Sequence, residues 1–320
     1  FAKRQPTDKN TTMRAVYFEK IGPPEVLKYG ERPDPVAGPG EIIVRIHTAS
    51  VNGADTKVRN GKIPSKLTFP HILGRDFSGV VAEVASDVTE FEVGDDVFGV
   101  CDVGQEGTYC EKIAMKAGLC AKKPPTVSHV DICALALTGL TAVVCLEDEL
   151  KIQKGEKVFI QGGAGGVGGV AIQMAKHFGA HVITTTSSPN VEYVKSLGAD
   201  EIIDYREQDF EMAVSDCDVV LETVGGDVAL KSFNVLKKGG RAAFIASGKK
   251  APTAPSSDFT SLRPNVQRDR AHLERVVQLL EQGAITPPHV KLYSLEEAIN
   301  AHVLSESRHF RGKLMFRICE

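Results

Sequence analysis

The chain has 320 residues, enough for two domains of ordinary size, and its 42% hydrophobic and 25% charged residues are those of a soluble globular protein. A net charge of −3 gives no electrostatic case for nucleic acid as the main partner. No membrane span is expected either: the uncharged run 132–146 is too short, and the run 158–175 is interrupted by six glycines and two glutamines. The seven cysteines stand at 101, 110, 120, 133, 145, 217 and 319 with no C-x-x-C pair, a scattered odd set that suits free thiols in the cytoplasm.

Residues 1–12 are polar and unpatterned and read as an unstructured extension, a cloning remnant or a cut-off leader ahead of Met13. From Arg14 to Ala114 the chain is strand-rich, with strands expected at Arg14–Phe18, Glu41–Val51, Phe77–Ser86, Asp95–Cys101 and Tyr109–Ala114. Turn signals at Gly22-Pro-Pro, Ala37-Gly-Pro-Gly and Gly94-Asp-Asp separate them, which points to a compact, barrel-like β-domain. The character changes at Val130. Asp131–Leu146 is Ala/Leu-rich and helical, and Val158-Phe-Ile160 is a short buried strand.

Gly163-Ala-Gly165-Gly166-Val167-Gly168 follows that strand and fits G-x-G-x-x-G. Apolar residues at 167, 170, 171, 174, 175 and 178 then carry a helix, and His181–Thr186 is the next strand. Glycines there let the backbone turn tightly and approach a pyrophosphate, and the helix start offers free N–H groups and a positive dipole end. Helix and strand signals alternate onward: a helix face at Val191, Val194 and Leu197, strands at Ile202–Asp204 and Asp218–Glu222, a helix over Asp227–Leu236, a turn at Gly239-Gly240 and a strand at Ala242–Ala246. This is the pattern of a doubly wound parallel sheet with helices on both faces, an α/β fold. Lys249–Pro264 reads as a loop with a short strand at Asp258–Leu262. Leu273, Val276, Val277 and Leu280 share a helix face ending near Gly283, Ser294-Leu-Glu-Glu297 is a capping box, and Gly312–Ile318 closes the chain as a strand.

In such a sheet ligands sit at the carboxyl ends of the strands, which makes Thr223 and Gly225, and Ala246 and Ser247, candidate cofactor contacts beside the glycine loop. An NAD-preferring site places an acid at the end of the second strand. Here Thr184-Thr-Thr-Ser187-Ser188 has none before Glu192, so a 2′-phosphate is tolerated, with Ser187 and Ser188 as donors to it. NADPH is the expected cofactor.

Several segments together carry a family resemblance: Ala49-Ser-Val-Asn-Gly-Ala-Asp55, Ile72-Leu-Gly-Arg-Asp-Phe-Ser-Gly79, Gly94-Asp-Asp-Val-Phe-Gly99, Thr138-Gly-Leu-Thr-Ala142, the glycine loop, Leu197-Gly-Ala-Asp200, Val219-Val-Leu-Glu-Thr-Val-Gly-Gly226 and Arg311-Gly-Lys313. In this order they resemble the medium-chain dehydrogenase/reductase superfamily, in its zinc-free quinone oxidoreductase (zeta-crystallin-like) branch, over nearly all of residues 14–320. The resemblance implies a GroES-like catalytic domain, expected at 13–136 and 264–320, around a Rossmann domain at 137–263, with the active-site cleft between them and assembly as a homodimer. It implies that Thr138 holds the face of the nicotinamide, that Tyr205 lies on the adenosine side, and that Gly312 and Lys313 close the site. The family's usual 2′-phosphate lysine falls near Asn190, and the neighbouring Arg206 is a candidate for the missing charge.

Zinc-dependent relatives carry a cysteine where this chain has Asn52 and Gly-His-Glu where it has Gly74-Arg75-Asp76. An amide, a guanidinium and one carboxylate do not replace thiolate and imidazole, so no metal is expected. The hydroxyl that serves alcohol oxidation aligns with Ala54. Hydride delivery from NADPH to quinones or small α,β-unsaturated carbonyls is the expected activity, with the protein binding, orienting and donating hydrogen bonds to a developing oxyanion. Asn52 is the candidate catalytic donor, or a helix cap, or both. Arg75 and Asp76 read as a structural ion pair and Tyr109 as packing. A 2-enoyl thioester reductase is the alternative, with Lys57, Arg59, Lys62 and Lys66 as its basic entrance; a non-catalytic NADPH-binding structural or RNA-binding protein is another.

Overall fold

The longest strand, Glu41–Val51, has the bounds expected from its β-branched run, and all but three of its residues are buried. A computed structural model describes residues 11–63, 66–102, 104–105 and 107–319. The expected extension at 1–12 lies outside these up to residue 10, whereas the first strand, Thr12–Phe18, already includes Thr12. The chain forms two units, one comprising the chain up to Cys133 with Leu292–Arg308 and the chain from Leu314, the other Ala134–Lys291 with His309–Lys313.

In the first unit, the strands Lys313–Arg317, Glu41–Val51, Asp76–Val84, Asp96–Val100 and Cys120–Lys122 lie side by side in that order, antiparallel, and Lys112–Lys116 also pairs along Glu41–Val51. A smaller sheet runs Lys28–Pro33, Thr12–Phe18, His71–Ile72. On the larger sheet, Ile42, Val44, Ile46, Phe77, Phe98, Met115 and Phe316 are fully buried core residues. The strand expected from Tyr109 begins only at Lys112, because Tyr109 turns inward to a polar partner described below.

The second unit is a parallel six-stranded sheet in the order Glu201–Asp204, His181–Thr186, Lys157–Ile160, Cys217–Glu222, Leu236–Phe244, Thr260–Leu262. Strand order therefore reverses between Lys157–Ile160 and Cys217–Glu222, and the glycine loop leaves the sheet at that switch point. One apolar cluster includes Val158, Ile160, Val170, Met174, Val182 and Leu221, and a second includes Phe159, Ile183, Phe210, Val220 and Phe244; the alternation along each strand sends neighbours to different clusters.

Three expectations are corrected. Residues 264–291 pack with the parallel sheet and not with the β-domain: the helix Arg270–Glu281 buries Leu273, Val276 and Leu279, and Val276 and Leu279 join the cluster around Val158. Gly239-Gly240 is no turn. It lies within the strand Leu236–Phe244, as a register break in which Cys217 pairs with Leu236 and Val219 with Arg241. The helix expected over 227–236 is α-helical only at Asp227–Lys231, tightens to a 3₁₀ turn and gives Leu236 to the strand. The Ala/Leu-rich helix, His129–Val143, continues as a π-turn to Glu149. Its 21 residues are long and apolar enough to cross a membrane, but 78% of the apolar window is buried inside the protein, as in a core helix.

Candidate functional site

The glycine loop is shaped by what its neighbours forbid. Gly162 has φ +74°, which turns the chain off the strand, and a Cβ on Gly168 would stand 2.2 Å from the Gly162 carbonyl oxygen. The helix Gly166–His177 can therefore start directly against the turn, with Gly165 as its N-cap. The Gly162 and Gly163 amides are used by the Thr185 hydroxyl and carbonyl at 3.1 and 3.0 Å, and Gly165 donates to Gly162. The first bond within the helix runs from Gly169 to Gly165. The N–H groups of Gly166, Val167 and Gly168 thus form the first turn, which lacks intrahelical acceptors and carries the positive end of the dipole. That is an anion cradle.

Its walls come from distant parts of the second unit. Thr138 is buried on the long helix, donates to the Ala134 carbonyl at 2.6 Å, and brings its methyl to 2.8 Å from where a Cβ of Gly166 would lie. The Lys313 side chain, also buried, crosses the same glycine at 2.8 Å through its Cδ. It is carried by a strap, His309–Lys313, in which Gly312 donates to Ala164 at 2.8 Å and bridges Gly165 in parallel. On the other flank the Thr223 hydroxyl donates to Gln161 at 2.7 Å. Glu222 Oε1 accepts the Val224 and Gly225 amides, and a Cβ on Gly225 would stand 2.9 Å from the Ala246 carbonyl oxygen. The loop ends after the fourth and fifth strands are thus neighbours. Ser247 does not present a free donor, since its hydroxyl caps Lys250 at 2.9 Å.

The turn after the second strand departs from expectation. Ser188 gives its hydroxyl to Asp204, so an acid absent from the 184–191 stretch arrives from the end of the neighbouring strand and occupies a predicted phosphate donor. Asp204 also accepts the Arg206 amide at 3.0 Å, and the Ser188 hydrogen bond, then the Arg206 amide, holds its carboxyl below the usual range. Ser187 accepts from Asn190 at 3.4 Å. Tyr205 is 52% exposed beside this turn, its amide on the Thr186 carbonyl.

In the first unit Asn52 caps the helix Gly53–Arg59 in a capping box with Asp55, its backbone N–H reaching the Asp55 carboxylate at 2.8 Å. Its side-chain amide donates to Asp76 at 2.7 Å and, more weakly, to Ser50 at 3.3 Å. Arg75 Nε lies 3.3 Å from Asp55, and Asp76 accepts from Ser50 and Asn52. Tyr109, buried, donates to Asp55 at 2.9 Å. Behind it His302 Nε2 stands 3.2 Å from the Tyr109 oxygen, and Arg59 Nη1 stands 2.7 Å from His302 Nδ1.

The direction of these bonds follows from chemistry. A guanidinium only donates, so His302 Nδ1 accepts, Nε2–H donates to Tyr109, and the Tyr109 hydroxyl points to Asp55. Burial and then the Arg59 charge push the His302 pKa down to about 3, which keeps the ring neutral; burial and then Asp55 push Tyr109 up. Arg59 is itself 1% exposed and pairs with Glu306, so it cannot belong to a basic entrance. Sequence reasoning set Arg59 in a basic entrance and missed its partners His302 and Glu306, because the partnership spans more than 240 residues and has no local signature. Gly162 and the unexpected Asp204 contact were missed as well; only the Gly162-Gly163 doublet was visible. Among the described residues no three His, Cys, Asp or Glu side chains are grouped to hold a metal ion. Asn52, Arg75 and Asp76 are engaged with Asp55, Ser50 and one another, and do not fit a zinc ligand set.

Known proteins can be set beside this geometry. Residues 38–125 match the alcohol dehydrogenase GroES-like domain and residues 197–315 the family described as zinc-binding dehydrogenase. The chain is 30% identical to mouse (Mus musculus) NAD(P)H oxidoreductase RTN4IP1, mitochondrial, over 97% of this chain and 90% of that protein. It is 32% identical to 2-methylene-furan-3-one reductase of Solanum lycopersicum, over 95% and 78%. The solved structure of Escherichia coli quinone oxidoreductase complexed with NADPH matches with a TM-score of 0.85 at 26% identity, over 95% of this chain and 99% of that one. A GroES-like β-domain, a parallel Rossmann sheet with a glycine cradle at its switch point, and these relatives together show that the chain belongs to the medium-chain dehydrogenase/reductase superfamily, in its zinc-free, quinone-oxidoreductase-like branch.

Proposed function

We propose that this protein is an NADPH-dependent reductase of quinones or small α,β-unsaturated carbonyls that works without zinc. The observation that carries the reading is the helix start at Gly166–Gly168, an amide cradle that a side chain on Gly168 would close. NADPH bound there would supply the hydride. The Gly166, Val167 and Gly168 amides would hold its pyrophosphate, Thr138 would back the nicotinamide, Gly225, Ala246 and Ser247 would line the strand ends, and Tyr205 and Ser187 would flank the adenosine. The quinone oxidoreductase and furanone reductase relatives support a conjugated acceptor, which stabilises its own developing negative charge.

Asn52 would serve the acceptor. Its strong bond to Asp76 fixes the amide plane, and the N–H that it gives more weakly to Ser50 is the one that a substrate oxygen could accept in place of Ser50. Burial of Arg59 leaves Lys57, Lys62 and Lys66 of the four cations for a thioester entrance, so quinones and enones are the preferred acceptors. A homodimer in the cytoplasm remains part of the proposal, to be checked by light scattering and by localisation of the tagged chain. The deciding assay follows NADPH and NADH oxidation with quinones, enones and crotonyl thioesters, with and without a zinc chelator. Turnover of quinones or enones that survives chelation is expected; tight NADPH binding with no turnover of any acceptor would overturn the enzymatic reading.

A further inference from the structure

The geometry points to Arg311 as the residue that selects the 2′-phosphate of the adenosine, an inference that rests on the cofactor reading above. Its guanidinium lies over the Tyr193 ring, 4.9 Å from the centroid, with Nε donating to Asn190 Oδ1 at 3.0 Å and Nη2 to the Pro189 carbonyl at 2.9 Å. It is thereby fixed on the turn that follows the second strand, the place where a dinucleotide site reads the ribose 2′ substituent. These contacts use two of the guanidinium's five N–H groups. None of its partners is an acid, and among the described residues it has no salt bridge, so its charge is uncompensated. It is only half-buried. Asn190 is thus no gap in the positive charge of this turn. It is the anchor by which the strap His309–Lys313 delivers a cation from about 120 residues away.

One carboxylate opposes this. Asp204 reaches the same turn through Ser188. Its oxygens are engaged by the Ser188 hydroxyl and the Arg206 amide, whereas Arg311 has unused donors aligned in a rigid fork. The cation therefore sets the preference, and the acid only moderates it.

The test compares dissociation constants of NADPH and NADH, and of adenosine 2′,5′-bisphosphate and 5′-AMP, by calorimetry for wild type, Arg311→Gln, Arg311→Lys and Asp204→Asn, with thermal melts to verify folding. Wild type should prefer each 2′-phosphorylated ligand. Arg311→Gln should weaken those ligands about ten- to a hundredfold and leave NADH and 5′-AMP unchanged. Arg311→Lys should recover part of the preference, and Asp204→Asn should increase it. An equal loss for both ligand classes, an unchanged preference in Arg311→Gln, or a wild type with no preference would overturn the assignment while leaving the oxidoreductase reading standing. Failure of wild type to bind either dinucleotide would instead overturn the cofactor reading itself.

Discussion

Gly168→Ala is the sharpest probe of the cradle. The added methyl would lie 2.2 Å from the Gly162 carbonyl oxygen, 2.9 Å from its carbon and 3.0 Å from Gly163 Cα, all backbone, with no flexible side chain to yield. Restoring ordinary contact moves the helix start or the turn by about 1 Å, at a cost of about 1–3 kcal/mol in stability. The same shift takes the Gly166–Gly168 amides off the pyrophosphate. Losing the equivalent of one charge-assisted hydrogen bond, about 2 kcal/mol, raises the NADPH dissociation constant about thirtyfold. Fluorescence titration of NADPH reads the affinity and a thermal melt reads the stability. Gly118→Ala, at an exposed glycine with no atom within 4 Å of the new methyl, is the control and should change neither. A Gly168→Ala protein that binds NADPH within threefold of wild type would refute the close-packed cradle.

Asn52→Ala should lower turnover with NADPH affinity intact, and should cost about 1 kcal/mol of stability through the lost cap; an unchanged rate removes Asn52 from the chemistry. Tyr109→Phe leaves His302 Nε2–H without its acceptor and takes one donor from Asp55, so a loss of about 1–3 kcal/mol is expected in urea unfolding. Burial, then Arg59, lowers the His302 pKa to about 3, and burial, then His47, lowers that of His129 to about 4. Between pH 6 and pH 5 the unfolded chain therefore binds protons at both sites that the folded chain refuses. Stability should fall as pH falls, by up to about 1.4 kcal/mol per pH unit for each. His272 has the opposite sign, because Asp148 and Asp269 outweigh its burial and raise its pKa; its contribution is complete below the ordinary histidine range and is lost at higher pH. Six of the seven cysteines are buried, and burial pushes Cys110, Cys145 and Cys217 up to about 12, so a thiol reagent should count about one reactive group, Cys319, before unfolding and seven after it.

What could be read in the sequence is what is encoded locally. Glu41–Val51 and His181–Thr186 declare themselves by β-branched runs, and the glycine loop by its strand and helix neighbours. The apolar face of Arg270–Glu281 is equally plain, but periodicity states that a face is buried and not which core receives it, so it does not assign residues 264–291 to the parallel-sheet unit. Arg59 lies on a short helix with Lys57, in a pattern typical of a solvated face, and only the fold reveals that His302 and Glu306 enclose it. The charges that bear on the cofactor preference are hidden in the same way. The 184–191 stretch around Ser188 holds neither acid nor base, whereas both charges that reach this turn, from Asp204 and Arg311, come from other segments.

The strap across the glycine loop also bears on the order in which the protein assembles. Gly165 and Gly312, paired in parallel, are about 150 residues apart, so this contact forms late and at a high loop-closure cost. The sheet strands from Lys157 to Leu262 are all synthesised before the strap, and a chain emerging from the ribosome can hold a folded sheet whose nucleotide cradle still lacks Arg311 and Lys313. NADPH, which would bind the finished cradle more tightly than the open one, would then favour strap closure by mass action and act as a folding ligand as well as a reactant.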